Sequence, residues 1–125
     1  MDNSKDQTIL VVDDTVENID VLRSILGEKY KVKVALNGEK ALKIAEKKPP
    51  DIILLDVMMP EMDGYEVCRR LKMDEVTKDI PVIFVTGHQD EEEKDKGLAL
   101  GAVDYLSKPV EPELVIAKIE KYIII

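Results

Sequence analysis

A parallel α/β sheet with helices on both faces is the fold this sequence predicts, and three observations predict it. Short runs of branched apolar residues, too short for typical helices, alternate five times with segments of helical period. Glycine, proline, asparagine and aspartate mark the changes between them. The apolar runs also end in polar residues, at the edge of an open α/β sheet where ligands bind. The organising stretch is Asp51–Gly64. Its run Ile52-Ile53-Leu54-Leu55 reads as a strand buried on both faces and stops abruptly at Asp56. Pro60 and Asp63-Gly64 then supply turn chemistry. A carboxylate delivered to the rim by a buried strand is costly unless something uses it.

In chain order, the polar residues Met1–Gln7 read as a disordered lead. Thr8–Val12 is a buried strand ending in Asp13-Asp14, and Thr15 or Asp14 suits the cap of a helix over about 15–27. Ile19, Leu22 and Leu26 line one face of that helix, and Gly27 suits its C-terminal cap. Lys31-Val32-Lys33-Val34 alternates as an edge strand does. Asn37-Gly38 starts a helix that runs to about Lys48, where Pro49-Pro50 stops it.

After the central strand, Gly64 to about Met73 forms a third helix, with Val67, Cys68 and Leu71 turned inward. Asp74–Ile80 is a polar loop, and Pro81–Val85 is a further buried strand ended by Thr86-Gly87. Asp90–Glu93 places four acids at the start of a fourth helix, where the helix dipole favours them, and Gly101 closes it. Val103–Leu106 is a short last strand leading into Ser107-Lys108-Pro109. Glu111-Pro112-Glu113 opens the final helix, with proline in its first turn.

The 125 residues suit one domain with a real core. A formal net charge of −8 disfavours nucleic acid and anionic membranes and favours a divalent cation or a basic partner surface. One cysteine, Cys68, excludes an internal disulfide framework and fits a cytoplasmic location and a small core hydrophobe. No targeting or membrane segment is visible. The ending Ile123-Ile124-Ile125 reads as a truncation point before a further domain or tail.

In a parallel sheet the polar strand ends share one rim. Asp13, Asp14, Asp56, Thr86 and Lys108 therefore predict a single site. Three gathered carboxylates would repel one another and raise each other's pKa, and a divalent cation relieves this. Mg²⁺ accepts such an oxygen set. With Lys108 opposite and the Thr86 hydroxyl nearby, the pocket suits a dianionic phosphoryl group, with Asp56 as nucleophile.

These motifs resemble the receiver domain of two-component response regulators. They are Asp13-Asp14, the run Asp56-x-x-Met59-Pro60-x-Met62-Asp63-Gly64, Thr86, Tyr105 and Lys108-Pro109. The resemblance covers about residues 8–122. It implies the flavodoxin-like strand order 2-1-3-4-5. It also implies that Asp56 accepts a phosphoryl group from the phosphohistidine of a sensor histidine kinase or histidine phosphotransfer protein. Asp14, Asp56 and the carbonyl of Met58 would bind Mg²⁺, with Asp13 acting through water. Lys108 would contact the phosphoryl oxygens, Thr86 would move to bond them, Tyr105 would rotate inward behind it, and Lys108-Pro109 would be cis. The implied output is a changed surface on the fourth helix, fifth strand and fifth helix, acting on an output domain or partner and open to phosphorylation-dependent homodimerisation. Met58 and His88 occupy the two variable positions that tune hydrolysis of the acyl phosphate. The Val-Asp-Asp-Thr-x-Glu-Asn start is most similar to receivers attached to cyclic-dinucleotide enzymes or hybrid kinases.

Plainer readings stand beside these. Asp13-Asp14 alone would be a capping pair, Thr86 a β-branched strand end, Lys108 a solvated loop lysine, and His88 a solvated histidine. Tyr105 serves equally as a half-buried aromatic and as a switch. At the level of the whole chain, the expected role is a self-phosphorylating switch rather than a turnover enzyme. The alternative is a non-phosphorylated scaffold of the same fold. An aspartyl-phosphate hydrolase would need an acid two residues after the nucleophile, where Met58 stands. A flavin-binding relative would need a Ser/Thr/Gly phosphate loop that this acidic rim lacks.

Overall fold

The computed structural model describes residues 6–87 and 91–123. Five strands alternate with five helices: β1 (Thr8–Val12), α1 (Val16–Leu26), β2 (Lys31–Ala35), α2 (Gly38–Lys47), β3 (Ile52–Asp56), α3 (Gly64–Met73), β4 (Val82–Thr86), α4 (Glu91–Ala99), β5 (Asp104–Ser107) and α5 (Pro112–Tyr122). The strands form one parallel sheet in the order β2-β1-β3-β4-β5. This is the expected doubly wound α/β class and strand order. His88, Asp90, Ile124, Ile125 and residues 1–5 of the expected lead lie outside the described residues. Gln7, placed in that lead by sequence, already has its carbonyl accepting the N–H of Lys31.

Burial explains which sequences became which strands. Every residue of β3 and β4 is buried, as continuous apolar runs require. The edge strand β2 is only part-buried and carries Lys31 and Lys33, which blunt further pairing. β5 is also an edge strand, with a single buried residue, Leu106. Its outer flank has no strand to cover it, so half-polar Asp-Tyr-Leu-Ser suffices there.

Alternation divides the core into two layers. On one face Leu10, Ile53, Leu55, Val82 and Phe84 pack with Ala41, Ala45, Val67, Cys68 and Leu71 of α2 and α3. On the other, Ile9, Ile52, Leu54, Ile83 and Val85 pack with Ile19, Leu22, Val115 and Ile119 of α1 and α5. Cys68 is buried in the first layer.

The helix starts follow two different schemes. Asn37 and Asp63 cap α2 and α3, their side chains accepting the N–H groups of Lys40 and Glu66 at 2.9 Å each. At α1 the side chain of Thr15 makes no capping bond; Asp13 instead accepts the Thr15 N–H. Gly27 follows α1 in right-handed geometry, so its place there does not depend on a left-handed turn. Gly101 closes α4 at φ +110°, where only glycine is unstrained. Among the described residues no helix is long and apolar enough to cross a membrane.

Candidate functional site

The carboxyl ends of β1, β3 and β4 meet at one rim. Asp56 is the last residue of β3 and pairs with Val85 of the fully buried β4, so its carboxylate is 5% exposed. Asp13 follows β1 and is fixed there by its own N–H, which donates to the Ala35 carbonyl. It is 2% exposed, whereas Asp14 points to solvent. Asp13, Asp14 and Asp56 each offer an oxygen within 4.8 Å of the others.

Lys108 closes this group from β5. Its Nζ stands 3.1 Å from Asp13 Oδ2 and 3.3 Å from Asp56 Oδ1, bridging the two buried carboxylates. Its N–H donates to the Thr86 carbonyl at 2.9 Å, and the Lys108–Pro109 peptide is cis. The β5 edge thus holds the lysine backbone against the end of β4 while the side chain reaches across the rim.

Electrostatics single out Asp56. Its pKa is pushed from 3.8 to about 6, first by burial and next by the charge of Asp13; Lys108 and the N–H of Met58 pull the other way. The sequence reading placed mutual repulsion first, but in the folded chain desolvation leads. Asp13 keeps three partners besides: the Thr15 N–H at 2.9 Å, the Asn18 amide at 3.4 Å and Lys108.

The loop after β3 is shaped by Gly64. A Cβ there would fall 2.2 Å from the Asp56 carbonyl oxygen, so only glycine lets α3 start against the strand end. The Gly64 N–H donates to the Val57 carbonyl at 2.8 Å and locks that approach. Met58 is 61% exposed and contributes its N–H to Asp56.

Thr86 and Tyr105 lie on the opposite side of the rim from α1. Thr86 is buried at the end of β4, with Ser107 as its register partner; Tyr105 pairs with Phe84. Both line a cavity of about 10 Å³ together with Val57, Tyr65, Phe84 and the α4 residues Glu93, Lys94 and Leu98. The Tyr105 ring is flanked by Lys94 and Lys118, whose ammonium groups stand 4.6 and 5.2 Å from its centroid.

Every described residue that the sequence nominated thus lies at this rim or lines the cavity behind it. Two contributors were not nominated: Asn18, which bonds Asp13, and Tyr65, which walls the cavity. Asn18 was legible as a polar residue in the first turn of α1, close in sequence to the Asp13 it bonds. Tyr65 follows Gly64 directly, but nothing local to the sequence tells which helix its hydroxyl meets. A second cavity of about 140 Å³ opens beside the acids, lined by Asn18, Val21, Leu22, Val85, Pro109 and Val110.

Known proteins resemble this chain in sequence and in fold. The family model of the response regulator receiver domain matches residues 9–120. A protein of Vibrio cholerae serotype O1 named as a probable cyclic di-GMP phosphodiesterase is 42% identical over 123 residues, 98% of this chain and 28% of that protein. The response regulator PleD of Caulobacter vibrioides is 46% identical over 112 residues, 89% of this chain and 25% of PleD. The chain therefore spans about a quarter of the length of these two relatives. Among solved structures, the chemotaxis protein CheY4 of Vibrio cholerae superposes with a TM-score of 0.89 at 31% identity, covering 94% of this chain and 98% of CheY4.

Proposed function

The chain belongs to the response regulator receiver domain family, and from that premise we propose that it is a phosphorylation-controlled signalling switch with Asp56 as the phosphoryl acceptor. The observation that carries the reading is the gathering of Asp13, Asp14 and Asp56 within 4.8 Å, with Lys108 bridging Asp13 and Asp56. Asp56 Oδ attacks the phosphorus of a phosphohistidine. The O–P bond forms as the N–P bond breaks, and the electron pair leaves on the imidazole nitrogen. The donor is a sensor histidine kinase or histidine phosphotransfer protein, in the cytoplasm.

An all-oxygen set of three carboxylates fits Mg²⁺. Asp14 and Asp56 would hold it, with the Met58 carbonyl as a further donor and Asp13 acting through water. When bound, it supplies positive charge against the phosphoryl oxygens. Lys108 adds a second positive charge and exchanges a carboxylate partner for a phosphoryl oxygen. The Thr86 hydroxyl gives that group a further donor, and Tyr105 follows Thr86 to change the α4–β5–α5 surface. The chain's part is to accept, hold and release one phosphoryl group, while the output lies with another domain or partner.

Incubation with Mg²⁺ and acetyl phosphate or phosphoramidate tests the assignment. Intact mass should show one added phosphoryl group, and Asp56→Asn should remove it. Equal labelling of Asp56→Asn would refute the acceptor.

A further inference from the structure

Helix α4 is attached to the domain unlike its neighbours. α3 buries Tyr65, Val67, Cys68 and Leu71, and α1 buries Ile19, Leu22 and Leu26. Among the described side-chain positions of α4, only Gly97 is buried. There the helix comes so close to the sheet that a Cβ would stand 2.8 Å from the Phe84 ring. No apolar stripe holds α4 down, so its docking depends on a pivot at Gly97 and on polar contacts.

The chief polar contact comes from α3. Tyr65 is wedged edge-on against Phe84, with centroids 5.4 Å apart at 64°. Its hydroxyl donates to Glu93 Oε1 at 2.5 Å and also lies 3.3 Å from the Glu93 carbonyl oxygen. Lys96 Nζ, one turn on from Glu93, sits 4.5 Å from the Tyr65 ring centroid. The first turns of α4 are thereby tied to a rigid, buried ring.

This tie runs along one wall of the cavity behind Thr86. At about 10 Å³ that cavity holds no more than a water molecule. A phenol ring cannot enter until a wall moves. β4 is buried throughout and α3 is anchored by its apolar face, which leaves α4, through Glu93, Lys94 and Leu98, as the wall able to yield.

We propose that Tyr65 is a positioning residue: its hydrogen bond to Glu93 latches α4 over the cavity and so sets how readily Tyr105 can move in behind Thr86. The proposal rests on the switch reading above, and its test separates the two. In the unmodified, Mg²⁺-free chain, amide hydrogen exchange should quicken about tenfold over α4 in Tyr65→Phe and in Glu93→Ala. It should stay unchanged in β1, β3 and β4. Adding Glu93→Ala to Tyr65→Phe should do no more than Tyr65→Phe alone, because the phenylalanine has already removed the hydroxyl through which the Glu93 carboxylate acts. With Mg²⁺ present, beryllofluoride should bind Tyr65→Phe severalfold more tightly than wild type, since the closed state loses its latch. Unchanged α4 exchange, acceleration spread over the whole sheet, or faster α4 exchange with unaltered beryllofluoride affinity would each overturn the latch. Failure of beryllofluoride to bind the wild type would overturn the switch reading instead, and with it the role of Tyr65 in switching.

Discussion

Lys108 Nζ lies 3.3 Å from Asp56 Oδ1, yet the Asp56 carboxyl is still pushed up to about 6. Burial and the Asp13 charge together outweigh the lysine beside it. The site therefore stores unfavourable charge at neutral pH, ready to be relieved by a cation.

That imbalance has a pH signature. An acid whose pKa is higher folded than unfolded binds more protons in the native state between the two values. Stability is then present below about 4 and lost as pH rises through about 6. The difference from 3.8 corresponds to roughly 3 kcal/mol. In chelator at pH 7.5, Asp56→Asn should be more stable than wild type by up to about that amount, and the gap should close as pH falls toward 4. Chemical denaturation across pH measures it; a gap independent of pH would count against the assignment.

Removing the lysine should do the reverse. In chelator, Lys108→Ala leaves two buried carboxylates without their shared cation and should cost on the order of 2 kcal/mol at pH 8. Mg²⁺ should restore most of the loss. The variant should still label at Asp56 while failing to shift the amide spectrum of β5. A variant that responds like wild type would exclude Lys108 from the switch.

Asp14 allows metal binding to be separated from folding. It is exposed, so Asp14→Ala should leave the Mg²⁺-free stability within about 0.5 kcal/mol of wild type. Mg²⁺ at ten times its Kd should stabilise the wild type by about 1.4 kcal/mol. Thermal melts over a Mg²⁺ series should show that rise blunted in Asp14→Ala. A wild type indifferent to Mg²⁺ would argue against the metal site.

The proposed output surface carries exposed apolar residues, Leu98 on α4, Val103 before β5 and Leu114 on α5. Beryllofluoride should move the protein toward dimer in sedimentation velocity, and Thr86→Ala should weaken that shift. Bound mimic with no change of mass would remove self-association from the mechanism.

How much of this was legible depends on the range of each interaction. β3 was readable because Ile52–Leu55 is apolar throughout, and that composition survives only between two covered faces. The starts of α2 and α3 were readable because Asn37 and Asp63 satisfy N–H groups three residues on. The alternation of such elements is enough to predict a parallel sheet, and a parallel sheet is enough to put Asp13, Asp56 and Thr86 on one edge. Sequence alone thus determined the class of fold and the membership of the rim. Tertiary structure decided what those residues do to one another. Lys108 bridges Asp13 from 95 positions away, and the Tyr65 hydroxyl finds Glu93 28 positions on. Only strand order and helix docking set such distances. The raised pKa of Asp56 is likewise set by the depth of the strand end, and the small size of the cavity behind Thr86 by the approach of α4 at Gly97. These are properties of packed volume and excluded water, fixed by the competition of all the elements for one core and encoded in no single stretch of chain.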